Sequence, residues 1–174
     1  MNTYSLKTAI ILLLSACYFV SCDNTSDLPR DGGRPNQVLK GFEVNHTNEG
    51  RLEWNLYADT AKIYEEQNIA FAEKPVIKFY DEGSLSSIMQ SEHGKLYIES
   101  SNIEAWGNVV IHSHKEGSRL ETNRAYYKAD ADKIISDELV RFYREDSITT
   151  GTGMESRADL SSIIIKNQKV EIRK

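Results

Sequence analysis

The chain has 174 residues, hydrophobic types make up 40% of them, and the formal net charge is −5. That length suits one domain with chain to spare, and the apolar fraction supports a buried core and is too high for a disordered chain. Acidic and basic residues are interspersed, so no basic stripe is available to neutralise phosphates, which argues against nucleic acid as a partner and against a grip on anionic lipid made mainly at the head group.

The N-terminus, MNTYSLKTAIILLLSACYFVSCDN, carries Lys7 and then an apolar run from Thr8 to Ser21. A run this short falls below the roughly 20 residues of a membrane span and fits a signal-peptide core, so the chain is expected to be exported. Both cysteines, Cys17 and Cys22, lie here, which leaves the rest of the chain without a disulfide framework or a thiolate metal site. LSAC (14–17) resembles a bacterial lipobox best by residue type, whereas FVSC (19–22) leaves a fuller apolar core and is followed by Asp23, which resembles an inner-membrane retention signal. Cys17 or Cys22 is therefore the expected lipidation site, with an ordinary signal peptide or a short uncleaved anchor as the alternative; two or three acyl chains hold a protein firmly where one does not. Residues 1–22 read as signal or anchor, 23–37 (rich in Pro, Gly and Asp, without a period) as a flexible tether, and 38–174 as the folded domain.

From Val38 onwards the pattern alternates. RLEWNLYA puts Leu52, Trp54, Leu56 and Ala58 on one face, and IEAWGNVVI does the same with Ile103, Ala105, Gly107, Val109 and Ile111. These are half-buried antiparallel strands, punctuated by hairpin turns at Glu82-Gly83 and Glu116-Gly117. Four segments, opening near Thr60, His93, Arg124 and Arg157, repeat at roughly 30 to 33 residues. Each carries a small residue at its start (Ala61, Gly94, Ala125, Ala158) and a valine further on (Val76, Val109, Val140, Val170). A unit of this size cannot bury its apolar face alone, so the units must fold over one another. The small residues suggest bends where the chain changes sheets, giving a rolled, two-layered β structure; a plain sandwich with a filled core is the alternative.

The stretch EAWGNVVIHSHKEGSRLETNRAYYKADADKIISDELVRFYRED resembles the OstA-like repeat of lipopolysaccharide transport proteins, and GRLEWNLYADTAKIYEEQNIAFAEKPVIKFYDEGS is similar to the opening block of the LptC family. The resemblance spans residues 38–174. It implies an all-β, open β-jellyroll whose apolar groove holds the acyl chains of lipopolysaccharide at the periplasmic face of the inner membrane. It further implies an inner-membrane LptF/LptG-type transporter with its LptB-type ATPase on one side and an LptA-like periplasmic bridge protein on the other. The chain departs from the family pattern in its anchor, which looks like that of a lipoprotein and not like an uncleaved helix. An acyl chain of about a dozen methylenes costs on the order of 10 kcal/mol to hydrate, so a groove removes the main barrier to transfer without any reaction.

Alternation nominates the groove wall: Leu52, Trp54 and Leu56; Leu96 and Ile98; Ile103, Val109 and Ile111; Val140 and Phe142. Each is also a candidate for ordinary core packing, the reading that any buried strand residue meets first. Val170 and Ile172 lie in a final strand-like run, SIIIKNQKVEIRK, expected to pair edge to edge with the bridge protein. The alternative is that Lys169, Arg173 and Lys174 merely protect that edge. His112 and His114 share a strand face but have no third ligand nearby, so they read as solvated and not as a metal site. TGTGM (150–154) lacks the lysine of a phosphate loop, and no Gly-x-Ser-x-Gly elbow occurs. No cofactor is expected, and the chain does not read as an enzyme.

Overall fold

The computed structural model describes residues 33–172, and the expected anchor, with Cys17 and Cys22, lies outside them. Twelve antiparallel strands follow in order: β1 Gln37–Asn48, β2 Arg51–Tyr64, β3 Ile69–Glu73, β4 Val76–Asp81, β5 Ser84–Gln90, β6 His93–Tyr97, β7 Asn102–Ser113, β8 Arg119–Lys128, β9 Lys133–Arg144, β10 Ser147–Arg157, β11 Ile163–Ile165 and β12 Lys169–Ile172. A single 3-10 turn, Ala129–Ala131, joins β8 to β9. Two of the tight turns use glycine. Glu82-Gly83, with both residues at positive φ, closes β4 onto β5, and Glu49-Gly50 does the same for β1 and β2.

Long and short strands divide the sheet into two layers. The last part of β2 pairs with β3, which continues through β6 to the first part of β7. The first part of β2 pairs instead with β4, which continues through β5 to the last part of β7. Beyond β7, strands β8, β9 and β10 run through both layers, and β10 ends the layers separately on β11 and β12. The two layers face each other across the core, as the rings of Phe79 in β4 and Tyr127 in β8 show, their centroids 4.7 Å apart. The expected two-layered roll is thus formed by strands that bend from one layer into the other.

The bend has a chemical basis. Gly107 and Asn108, both at positive φ, form a bulge in β7 where the register against β8 shifts, and β8, β9 and β10 shift register alongside it. Bulges leave backbone groups unpaired, and here buried hydroxyls take them up. Ser136 Oγ donates to the Arg124 carbonyl at 2.6 Å and Thr122 Oγ1 to that of Leu139 at 3.1 Å. The crease continues at the β3–β4 and β5–β6 links, where the Lys74 amide donates to Glu92 and the Glu92 amide to Gly107. Gly107 was expected on the inner wall as an ordinary strand residue; it is a hinge of the crease instead.

Beside the crease runs a line of small residues. Ala61, Ala72, Gly94, Ala105 and Ala125 are successive cross-strand partners on β2, β3, β6, β7 and β8, all facing inward and all buried. Three of them are the small residues that open the repeats, placed where the chain has just changed layers. Their bulk is limited because the opposite wall approaches closely here: a Cβ on Gly94 would lie 2.9 Å from Cγ of Pro75. The repeating valines fare less evenly. Val109 and Val140 are fully buried, Val76 is half-buried, and Val170 is exposed. On the outer face of the same layer a second cluster, Tyr64, Ile69 and Phe71, packs with Tyr97 and Trp106. Beside it Arg124 Nε donates to the buried Glu104 carboxylate at 2.7 Å.

Candidate functional site

The inward faces of the strands meet in one apolar interior. Trp54, Leu56, Leu96, Ile103, Val109, Ile111, Val140 and Phe142 all belong to a single buried cluster, and Leu52 is partly buried at its rim. Alternation placed these side chains correctly because β7, β9 and the first part of β2 each keep one parity along their inner face. Ile98 is the exception. The strand ends at Tyr97, and Ile98 lies in the following turn, 45% exposed, so it does not line the interior. His112 is exposed at the end of β7 and His114 lies in the turn beyond. Val170 and Ile172 sit on β12, whose pairing partner is β10, and both side chains are exposed.

Several inner-wall residues escaped the sequence reading: Phe79, Met89, Leu120, Tyr127, Ile134 and Met154. In β8 the inner face switches from Leu120 and Thr122 to Ala125 and Tyr127 at the bulge, which breaks any simple alternation.

The interior opens at one side, where the turns of the two layers face each other. There a cleft of about 510 Å³ is bounded by Asn48, Arg51, Leu52 and Glu53, by Phe79–Gly83 and Ser86, and by Tyr127, Ala129–Asp132 and Arg157–Asp159. Its floor is apolar, with Phe79 and Leu52, and its rim is charged. Arg157 bridges Asp132 at 3.1 Å and Asp159 at 3.5 Å, and Lys115 bridges Asp159 at 3.6 Å and Asp81 at 3.3 Å. Burial raises the Asp132 carboxyl above the ordinary aspartate range, Arg157 offsetting part of that. Burial pushes Asp159 the same way, but the Ser161 hydroxyl and amide, Arg157 and Lys115 together hold it below that range. At the other end of the opening His46 Nδ1 lies 3.1 Å from Ser101 Oγ, and the His46 ring stacks on Trp54.

Tyr127, at the floor of this cleft, is raised by burial first and by the charges of Asp132 and Glu53 second. A phenol whose folded pKa lies above its unfolded value adds stability that is complete below about pH 10 and is lost as the pH rises toward the folded pKa. Thermal melts between neutral and strongly alkaline pH are therefore expected to fall more steeply for the native chain than for Tyr127→Phe. Parallel slopes would show that Tyr127 ionises as freely folded as unfolded.

Such a molecule is an open β-jellyroll: two bent layers, an apolar interior, and terminal strands that among the described residues are unpaired on their outer edges. A family model described as "Lipopolysaccharide-assembly, LptC-related" matches residues 8–170, and the chain belongs to this LptC family. Its role is in lipopolysaccharide transport, in association with the periplasmic side of the inner membrane, and its family is one of transport proteins and not of enzymes. Among solved structures it is similar to LptH, the LptA homologous periplasmic component of the conserved lipopolysaccharide transport device from Pseudomonas aeruginosa, with 9% identity and a TM-score of 0.55 over 70% of this chain and 94% of that one. At that identity the likeness speaks for the fold. A comparison with curated proteins gives no match. No helix among the described residues is long and apolar enough to cross a membrane.

Proposed function

We propose that this domain takes lipopolysaccharide from an inner-membrane LptF/LptG-type transporter driven by an LptB-type ATPase, shields its acyl chains between the two layers, and passes it to an LptA-like bridge. The observation that carries this reading is the single apolar face formed by Trp54, Leu56, Ile103, Val109, Ile111, Val140 and Phe142 inside an unclosed roll of the LptC family. Acyl chains need only an apolar, water-free wall, and this one runs across strands contributed by every repeat. The charged rim beside it suits a polar head left in water. At β12, Val170 and Ile172 stand exposed on a strand with one neighbour, a form suited to adding the edge strand of another sheet. An N-terminal anchor, through lipid on Cys17 or Cys22, would keep the domain at the membrane from which the lipid comes.

Photocrosslinking in cells tests the reading at two adjacent positions of β7. Ile111 is fully buried on the inner face and His112 exposed on the outer. A photoreactive residue at position 111 is expected to yield a lipopolysaccharide adduct and one at 112 none. A folded, expressed protein that gives no adduct at either position would instead be a solid-core envelope scaffold.

A further inference from the structure

The connection between β10 and β11 belongs to one layer, where the two strands pair, and reaches over to the other layer at one end of the opening. It leaves β10 at Arg157, whose amide donates to the Ser162 carbonyl, and the Leu160 amide donates back to Arg157. Within it Leu160 is 1% exposed and belongs to the main core cluster with Ile111, Val109 and Met89. Its φ is +60°, a left-handed conformation that suits glycine or asparagine and is strained for leucine. A bulky residue held in that region is kept there by its surroundings, and such strain concentrates where a structure is built to change.

The surroundings that hold it are polar and come from the opposite layer. Ser87 and Ser113 are cross-strand partners on β5 and β7. Ser87 Oγ donates to the Ala158 carbonyl at 2.6 Å, and Ser113 Oγ donates to the Asp159 carbonyl at 2.7 Å. The Asp159 carboxylate, nearly buried, accepts from the Ser161 amide and hydroxyl and is faced by Arg157 and Lys115. Every one of these ties can be exchanged for water when the turn lifts. The layers elsewhere are joined by continuous strands, so at this end the turn is what holds the opening shut.

Resting on the reading of the interior as an acyl-chain site, we propose that residues 158–162 form a displaceable stopper, and that the Leu160 side chain occupies the place an entering acyl chain takes. In the unloaded state the protein's own branched alkyl group then stands in for the lipid. Loading exchanges one apolar group for another, relieves the left-handed leucine, and leaves the Ser87 and Ser113 hydroxyls to solvent.

The test uses the full chain and cis-parinaric acid, whose fluorescence rises in apolar surroundings. Leu160→Gly keeps a residue suited to positive φ while removing the plug, so it is expected to bind the probe about tenfold more tightly, with a urea midpoint lowered by the lost core contacts and partly restored by the relieved backbone. Ser113→Ala loosens the catch but keeps the plug, and is expected to speed both loading and release severalfold. In the native chain, hydrogen exchange of amides 158–162 is expected to rise when the probe binds. Equal probe affinity in the native chain and Leu160→Gly, with those amides equally protected loaded or empty, would overturn the stopper and leave the acyl-chain site standing. Failure of folded native chain and folded Leu160→Gly alike to bind the probe would overturn the acyl-chain site and the stopper with it. Should Leu160→Gly not fold, unchanged loading and release in Ser113→Ala would overturn the stopper.

Discussion

Trp54→Ala is expected to cost the domain about 3–5 kcal/mol, the usual range for removing a buried aromatic and leaving a cavity. The indole is 1% exposed, is stacked on His46 with centroids 5.1 Å apart, and has Phe79 as its cross-strand neighbour on β4. It therefore holds together the two strands that carry the first layer's share of the opening. Trp54→Phe should behave very differently. Indole Nε1 is buried without a hydrogen-bond partner among the described residues, and a buried donor in that condition is a cost that phenylalanine removes. The lost volume and the relieved donor oppose each other, so the net change should be about 1 kcal/mol or less. Urea denaturation of the two variants checks both statements. If Trp54→Phe costs as much as Trp54→Ala, the indole N–H has a partner that matters and the account of this corner is wrong.

The second large effect belongs to Gly94. Glycine weakens a strand, so an alanine in its place would ordinarily help. Here the added methyl would lie 2.9 Å from Cγ of Pro75, a stiff ring that has little room to yield, on a strand flanked by Ala72 and Ala105. Gly94→Ala should therefore destabilise by about 1–3 kcal/mol, the cost of overpacking a close-packed interior. Pro75→Ala should recover much of that loss in the double variant, because the clash has a single identified partner. Additive single and double effects would place the strain elsewhere.

These two residues also show how far the sequence could be read. Trp54 announced its position because alternation along RLEWNLYA is unbroken up to the bend of β2, beyond which Ala61 and Ile63 take over the inner face. Gly94 announced itself as the start of a repeat, and its smallness did mark a change of layer. The reading failed where a bulge intervened or a strand stopped. Around Asn123 the inner face of β8 changes parity, so that Leu120 and Tyr127 share a wall although an odd number of steps separates them. Thr122 and Ser136 are polar letters at buried positions because the bulge leaves carbonyls that only a hydroxyl nearby can satisfy. Ile98 continues the alternation of HGKLYI, but nothing in an alternating pattern tells where pairing ends. The rim of the opening was invisible for another reason. Asp81, Lys115, Asp132 and the Arg157–Asp159 pair come from four separate places in the chain, and only the fold brings them together.

The crease gives the domain a mechanical character. Strands are stiff along their length, and the hydrogen bonds between neighbours run across it, so a sheet bends most easily where a row of irregularities crosses it. Gly107, Asn108, Gly153 and the β3–β4 link form such a row, and their ladders on either side stay paired whatever the angle between the layers. The jellyroll is therefore bound like a book. Its spine is the line of bulges, its pages are the two layers, and widening the gap between them is a rotation about that spine which breaks no strand pairing.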